Sequence, residues 1–287
     1  MTGGEELIAT YLTLAGDVGP FDAVTTSPWP LRVRAEAAAA GGYRGIGFGA
    51  QDVTGLLARH GAAEVNAILA DHGLVHREIE ALLGWFDTGE ARVRSDRERT
   101  AMLSAAAAIG ARHIKVGGDL SGRSWPMEHL IAEFARLCDQ AAEAGTAITI
   151  ELFPTSNIAE LQAGRAIVEG AGRRNGGLLL DIWHVVRGRI TMAGIAALPP
   201  GIVNHVELDD GPLEACGDYL AETIGRRLAP GEGEFPLMEF IGALRACGYD
   251  GLYGVEILSD AYRAMAPMEA ARRSGTAAAT LLSATPM

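Results

Sequence analysis

Short apolar runs alternate with longer Ala-rich stretches along this chain, usually with a glycine at the junction. Apolar runs of about four to eight residues are typical of buried strands, whereas longer stretches with a period near 3.6 are typical of helices. The pattern predicts strands at 9–14, 43–48, 74–82, 112–117, 147–152, 177–182, 202–208 and 252–257. It predicts helices at 31–40, 51–71, 96–109, 126–144, 156–170, 184–197, 236–247 and 261–283.

This alternation predicts an α/β protein with one parallel sheet, because strands joined by helical crossovers run parallel. Eight units within 287 residues predict a single (β/α)8 TIM barrel that spans 1–287, since such barrels take about 250 residues. A doubly wound open sheet is the alternative, but the sequence has no strand–GxGxxG–helix unit or P-loop to support it. The two longest strand-to-helix loops, 83–95 and 209–235, would lie on the face where barrel enzymes carry their active sites.

Composition and charge narrow the functional classes. Hydrophobic residues make up 48% of the chain, enough for a sizeable core, and the net charge of −12 argues against binding to nucleic acid. No apolar run approaches the 18 or so residues of a membrane span, and the acidic N-terminus predicts no signal peptide. Cys138, Cys216 and Cys247 have no metal or redox spacing, so we expect reduced thiols and a cytoplasmic protein.

Four acidic residues, Glu151, Asp181, Glu207 and Glu256, each close one of four successive predicted strands. A carboxylate at the end of a buried strand is costly to desolvate unless a cation or hydrogen bonds meet it. Four of them on one face of a barrel therefore predict a shared metal site. An all-oxygen donor set suits Mn²⁺ or Mg²⁺ better than Zn²⁺.

Glu151 and Glu256 fall on predicted strands five and eight, which lets their carboxylates face one another across the barrel mouth. Two opposed carboxylates suit proton transfer between adjacent carbons, with one removing a proton while the other returns one. A metal ion between them would polarise a carbonyl and stabilise an enediolate. We therefore predict a metal-dependent isomerase or epimerase of a small sugar or keto-polyol. A lyase is the alternative, because the same enediolate can eliminate a β-hydroxyl group.

Two histidines lie close to these carboxylates in sequence. His184 follows Asp181 by three residues, at the start of the next helix, and is predicted to reach the mouth; the alternative is a helix cap with a polar first turn. His205 lies two residues before Glu207, so both side chains point to the same side of the strand. A buried, hydrogen-bonded imidazole is the favoured interpretation of His205, and metal ligation is the alternative.

Other polar and aromatic residues near predicted strand ends are weaker candidates. Trp85 in the loop after strand three could stack on a sugar face or anchor the loop. Lys115 at the end of strand four could steer an anionic substrate or form a structural ion pair. Glu78 and Glu80 alternate on strand three and could line the mouth or a solvated strand end.

Several sequence motifs around these residues resemble those of the xylose isomerase-like TIM barrels, the sugar phosphate isomerase/epimerase superfamily. The resemblance extends over most of the chain. The motifs that carry the resemblance are Ile150-Glu151, Asp181-Ile-Trp-His184, Val206-Glu207-Leu-Asp-Asp210, Arg227-Leu-Ala-Pro-Gly-Glu-Gly233 with Phe235, Gly248-Tyr-Asp-Gly251 leading to Val255-Glu256, and Gly42-Tyr-Arg-Gly-Ile46.

The resemblance implies a role for each matching residue. It implies that Glu151, Asp181 and Glu256 are metal ligands and that Glu151 and Glu256 are the acid/base pair. It also implies that His184 and Arg227 contact the substrate, with Arg227 holding a hydroxyl or an anionic group. The implied partner is a small-molecule sugar or polyol, and self-association into a homo-oligomer is left open. The lyase that the family implies as the alternative is a metal-dependent dehydratase of the inosose or dehydroshikimate type.

Glu207 departs from the family pattern, which usually has a His and sometimes a Gln at this position. With Glu207 ionised, the predicted site would carry four negative charges. Either the metal differs from the usual one, or the pKa of Glu207 is shifted, or the metal binds weakly, or His205 is the ligand instead. A non-catalytic sugar-binding subunit with a decayed metal site is therefore a further alternative.

Overall fold

The computed structural model describes residues 6–215 and 217–285, in which eight parallel strands close into a barrel in chain order. The barrel closes between the first and last strands, where Ile8 lies beside Gly254. The predicted (β/α)8 architecture is confirmed. The strands are β1 Leu7–Ala9, β2 Gly45–Gly49, β3 His76–Leu82, β4 His113–Val116, β5 Ala147–Glu151, β6 Gly176–Asp181, β7 Val203–Leu208 and β8 Tyr253–Val255.

Helices connect the strands and pack around the outside of the barrel. The longest of them, α3, is broken at Gly61, whose φ of 75° and ψ of 160° are not helical. The helices are α1 Tyr11–Leu14, α2 Leu31–Ala40, α3 Ala50–Asp71, α4 Gly89–Ile109, α5 Met127–Glu143, α6 Leu161–Ala171, α7 Ile182–Arg187, α8 Met192–Ala196, α9 Tyr219–Gly225, α10 Leu237–Ala246, α11 Asp260–Arg263 and α12 Pro267–Ala284.

The first strand is the element that the apolar pattern placed wrongly. The prediction was 9–14, whereas β1 ends at Ala9 and the residues that follow form the single turn of α1. The hydroxyls of Thr10 and Thr13 both donate to the carbonyl oxygen of Val255, at 3.1 and 2.8 Å. These bonds tie the turn to the end of β8, so a short apolar run becomes a helical turn at the barrel mouth.

Two predicted helices are each divided in two. The helix predicted at 184–197 is interrupted after Gly188, which ends α7. The helix predicted at 261–283 is interrupted before Pro267, at the first turn of α12. Proline has no backbone N–H and a fixed φ, so it begins a helix more readily than it continues one.

Side chains of the barrel strands alternate between the helix layer and a polar interior. On β7, Val206 and Leu208 are buried on the opposite side of the strand from His205 and Glu207. Both polar residues contact side chains from strands across the barrel, so the interior near the mouth is polar. The apolar core therefore lies between strands and helices, and the polar interior supports the site.

Two sequence expectations concern the environment of the protein. Within the described ranges, no helix combines the length and apolarity needed to cross a membrane. Cys138 and Cys247 are buried and carry free thiols, and Cys216 lies outside the described residues.

Candidate active site

The four strand-end carboxylates come together at the C-terminal ends of β5 to β8. One oxygen each of Glu151, Asp181, Glu207 and Glu256 lies within 4.8 Å of the others, and all four side chains are buried. Barrel closure and strand register produce this arrangement; Asp181, for example, lies directly beside Glu207. We call these four residues the carboxylate cluster.

The ammonium group of Lys115, on β4, lies within this cluster. Its Nζ is 2.7 Å from Glu207 Oε1, 2.5 Å from Glu256 Oε1 and 2.9 Å from Glu80 Oε2. An oxygen of a fourth residue, Oε2 of Glu151, lies 3.9 Å away. Of the two alternatives for Lys115, the structural ion pair is the one that the geometry displays, although the ion pair lies in the site itself.

A second buried cation, Arg227, neutralises the other side of the cluster. Its Nη1 lies 2.6 Å from Asp181 Oδ2, 2.6 Å from Asp209 Oδ2 and 3.1 Å from Glu256 Oε2. Its Nε donates to the carbonyl oxygen of Thr223 at 3.0 Å. Arg227 lines the cavity at the mouth of the barrel as a substrate contact would, but protein carboxylates already hold its Nη1.

His184 lies behind Glu151 and does not line the cavity. Its Nε2 is 3.2 Å from Glu151 Oε1 and 3.6 Å from Asp181 Oδ2, and its Nδ1 pairs with the Tyr219 hydroxyl at 2.7 Å. Burial lowers the pKa of His184 to about 4, so the imidazole is neutral near pH 7. This placement suits an imidazole that orients Glu151 better than the direct substrate contact that the resemblance implies.

Trp85 is a core residue. Its side chain is fully buried, its indole N–H donates to the carbonyl oxygen of Gly117 at 2.9 Å, and its ring packs edge-on against Phe86 and Phe134. It does not line the cavity, so it has no open face for a sugar. The anchoring alternative describes Trp85 correctly, and the substrate-binding interpretation does not.

His205 belongs to a second polar layer beneath the carboxylate cluster. Its Nε2 lies 3.2 Å from Glu78 Oε2, and His113 Nε2 lies 3.4 Å from the same oxygen. Burial lowers the pKa of both imidazoles, that of His113 to about 3, and raises the pKa of Glu78 to about 8. His205 Nε2 is 3.8 Å from Glu207 and contacts Glu78 in this lower, second polar layer. It is therefore poorly placed as the alternative ligand at the mouth.

The surroundings separate the pKa values of the cluster residues. Burial raises the pKa of Glu151 to about 7, and burial together with the Glu256 charge raises that of Glu207 well above its usual value. Burial acts in the same direction on Glu256, but Lys115 and Arg227 outweigh it and lower the pKa to about 2. Glu256 is thus held ionised, whereas Glu151 and Glu207 resist ionisation.

The donor set fits a divalent cation. Within the described chain, six buried carboxyl groups share the two cations Lys115 and Arg227, so carboxyl groups outnumber cations three to one. Oε1 of Glu151 accepts no hydrogen bond from any described residue. An oxygen-preferring ion would remove part of this excess. The six are Glu80, Glu151, Asp181, Glu207, Asp209 and Glu256.

Part of the cluster forms the floor of a cavity of about 350 Å³ that opens at the mouth of the barrel. Glu151, Glu256, Lys115 and Arg227 line this cavity, whereas Asp181 and Glu207 do not. The two cations therefore separate two of the predicted ligands from the open space. Apolar side chains form much of the wall, namely Leu12, Phe21, Leu83, Leu120, Phe153 and Leu220.

Sequence reasoning underrated Lys115, Glu80 and Asp209. The composition could have drawn attention to Lys115, because it is the one lysine in the sequence and every other residue of the 24 Lys and Arg is arginine. No comparable signal marks Glu80 or Asp209, which meet the cations only after the barrel closes.

Comparisons with known proteins agree with this architecture. The model of the xylose isomerase-like TIM barrel family matches residues 35–279. A 3-dehydroshikimate dehydratase of Pseudomonas aeruginosa is 28% identical over 238 residues; the match covers 82% of this chain but only 37% of that relative. The structure of IolI protein with a bound zinc atom superposes with a TM-score of 0.83 at 17% identity, over 98% of this chain and 99% of IolI. D-psicose 3-epimerase superposes with a TM-score of 0.71 at 17% identity, over 96% of this chain and 97% of the epimerase.

Proposed function

This chain belongs to the xylose isomerase-like TIM barrel family, and from that premise we propose that it is an enzyme that moves a proton at a carbon next to a carbonyl group. The substrate would be a small polyhydroxylated ketone, and the reaction an isomerisation or epimerisation. One observation carries the proposal: Glu151 and Glu256 both line one cavity, together with the cations Lys115 and Arg227.

Each of these residues has a distinct task in the proposed reaction. Glu151 lines the cavity and burial raises its pKa to about 7, so it is the residue best suited to accept a proton from the substrate carbon. Glu151 would then return this proton to the neighbouring atom, whereas Glu256, on the other side of the cluster, would stay ionised between Lys115 and Arg227. Lys115 and Arg227 would face the oxygen on which negative charge develops, and buried cations stabilise such charge strongly.

Asp181, Glu207 and the two catalytic glutamates would hold a divalent cation, and their oxygen donors favour Mn²⁺ or Mg²⁺ over Zn²⁺. When bound, such an ion supplies Lewis-acid polarisation of the substrate carbonyl. The zinc atom bound in the IolI structure supports a metal ion in a protein of this fold, but it does not identify the ion that this chain prefers.

Dehydration is the second candidate function. The relative from Pseudomonas aeruginosa is a 3-dehydroshikimate dehydratase, and the chain spans little more than a third of its length. The apolar wall of the cavity, with Phe21, Leu83 and Phe153, would also suit the face of a carbocyclic substrate. In this reaction Glu151 would take the same proton and pass it to the β-hydroxyl group, which would leave as water as the carbon–carbon double bond forms.

Proton NMR in D2O distinguishes these reactions. The protein is incubated with Mn²⁺ or Mg²⁺ and a panel of ketoses, inososes and cyclic keto-acids. Isomerisation or epimerisation would incorporate deuterium at the carbon next to the carbonyl, and dehydration would give an alkene signal with loss of a carbinol proton. Glu151→Gln is the matched inactive variant. If no member of the panel exchanges a proton, or if Glu151→Gln exchanges as fast as wild type, the proposal is wrong.

A further inference from the structure

Lys115 is the one lysine in a chain whose other basic side chains are 23 arginines. Its side chain is 3% exposed and ends between β4, β7 and β8, inside the barrel mouth. An ammonium ion is a compact charge with three donors, whereas a guanidinium is a wide planar fork. The contacts fit the compact ion, since carboxylate oxygens from three different residues converge on its Nζ.

The ammonium uses the same oxygens that a metal ion would need. Nζ lies 2.7 and 3.0 Å from the two oxygens of Glu207 and 2.5 Å from Glu256 Oε1, and both residues belong to the carboxylate cluster. A divalent ion binds carboxylate oxygens at about 2.0–2.6 Å, so it would lie within a few ångströms of Nζ. Like charges a few ångströms apart in the protein interior repel strongly, and a divalent ion repels the ammonium more than a monovalent ion does.

The path from the cavity into the carboxylate cluster also brings an incoming cation against Lys115. Lys115 lines the cavity, whereas Glu207 is completely buried and does not. A cation that arrives from the cavity therefore meets the ammonium before it reaches Glu207. Glu207 can become a ligand only if Lys115 gives up this carboxylate.

We propose that the Lys115 ammonium and a divalent metal ion are alternative occupants of the carboxylate cluster. Without metal, Lys115 holds Glu207, Glu256 and Glu80 together. Metal binding displaces its ammonium from Glu207 and Glu256, so metal affinity in this chain is set by competition with its own lysine. This inference rests on the cation site of the proposed function, but it concerns binding of the ion alone and not turnover.

Calorimetric titration with Mn²⁺ tests the competition. Lys115→Met should bind Mn²⁺ at least tenfold more tightly than wild type, because the competing charge is gone and all four carboxylates remain. Arg136→Met removes one positive charge from the exposed face of α5 and should leave the affinity within twofold of wild type. This control distinguishes the effect of removing the ammonium from the cluster from the effect of changing the net charge of the protein.

A second pair of variants covers the risk that Lys115→Met, with its unpaired buried carboxylates, does not fold. Glu207→Gln and the double variant Lys115→Met/Glu207→Gln differ only in the ammonium, and the double variant keeps the net charge of wild type. The double variant should bind Mn²⁺ at least tenfold more tightly than Glu207→Gln.

Because the chain has one lysine, protein labelled with ¹³C,¹⁵N-lysine gives a single side-chain signal that reports on Lys115 directly. Titration with diamagnetic Mg²⁺ should shift this signal and saturate with metal binding. The proposal is overturned if removal of the lysine, in whichever of the two variant pairs folds, leaves the Mn²⁺ affinity equal or makes it weaker. Saturation that leaves the lysine signal in place, or a complete lack of Mn²⁺ binding, would also overturn it. None of these results depends on a substrate, so the proton-transfer proposal is judged separately.

Discussion

At the scale of single residues, the barrel gives two chemically identical side chains opposite properties. Burial raises the pKa of Glu151 to about 7, whereas Lys115 and Arg227 overcome the effect of burial on Glu256 and lower its pKa to about 2. Pairs of acids whose pKa values are driven apart are common where one group transfers a proton and the other stays charged. Because the two pKa values shift in opposite directions, replacing Glu151 and replacing Glu256 should have opposite effects on the stability of the protein.

Glu151→Gln should stabilise the metal-free protein at pH 8, and Glu256→Gln should destabilise it. Folding raises the pKa of Glu151 from its usual 4.5, so the folded state holds the extra proton and loses stability as pH rises through about 7. Folding lowers the pKa of Glu256, so its contribution is present above about pH 4.5 and is lost as pH falls toward 2. Thermal unfolding with chelator present measures both; a lower Tm for Glu151→Gln at pH 8 would contradict this account.

Glu78 offers a pH test away from the carboxylate cluster. Burial raises its pKa to about 8, so the folded state binds an extra proton between about pH 4.5 and 8 and stability falls as pH rises through that window. Glu78→Gln replaces the protonated acid with a neutral amide of the same shape. The variant should show a shallower loss of Tm between pH 6 and 9 than wild type. Parallel Tm curves for the two proteins would show that Glu78 is already ionised.

At the scale of the element, β2 shows how small residues bring separate parts of the site together. Ile46 and Phe48 of this strand are buried, and they alternate with three glycines. A Cβ on Gly47 would lie 2.5 Å from the backbone nitrogen of Tyr11, in α1. That nitrogen donates to Glu80 Oε1, and the other oxygen of Glu80 contacts Lys115. Gly47 therefore allows α1 to lie close enough to β2 for this series of contacts with Glu80 and Lys115.

Gly47→Ala should cost about 1–3 kcal/mol of stability, because the added methyl group meets backbone and cannot be relieved by a side-chain rotation. Gly55→Ala, inside α3, is the matched control: its Cβ would meet nothing within 4 Å, and alanine favours a helix by about 1 kcal/mol over glycine. Denaturant unfolding of both variants gives the comparison. A Gly47→Ala protein as stable as Gly55→Ala would mean that α1 moves away without cost.

At the scale of the whole molecule, the excess of buried carboxyl groups over cations links cation binding to folding. A ligand that binds only the folded state stabilises it by an amount that grows with the logarithm of its concentration, about 2.7 kcal/mol at 100 times Kd. The carboxylate cluster draws its residues from β5, β6, β7 and β8, so it exists only in the closed barrel. Metal binding should therefore stabilise the fold as a unit.

Mn²⁺ at about 100 times its Kd should raise Tm by several degrees, and chelator should reverse the change. The expected rise follows from the binding free energy, because each kcal/mol of stabilisation raises Tm by about 2–4 °C in domains of roughly this length. Lys115→Met, if it folds, should show the larger shift at any one Mn²⁺ concentration. A Tm that does not respond to Mn²⁺ in wild type or variant would remove the metal from the proposed function.

The sequence alone determined the eight-unit barrel and the meeting of Glu151, Asp181, Glu207 and Glu256, because both follow from local information. Apolar periodicity identifies strands and helices, and parallel strands with helical crossovers put all their carboxyl ends on one face. The same reasoning failed for residues 11–14, since hydrogen bonds from Thr10 and Thr13 to the far end of the chain convert an apolar run into a turn.

Only the tertiary structure decided which cations meet the carboxylates. Lys115 is 92 residues from Glu207 and 141 from Glu256 in sequence, and nothing near any of them indicates the contact. The burial of Trp85 and the turn of His205 toward the lower layer were equally hidden, because side-chain neighbours across a barrel depend on strand register and closure. Ionic interactions in the interior act over a few ångströms of space, and chain separation carries no information about that distance.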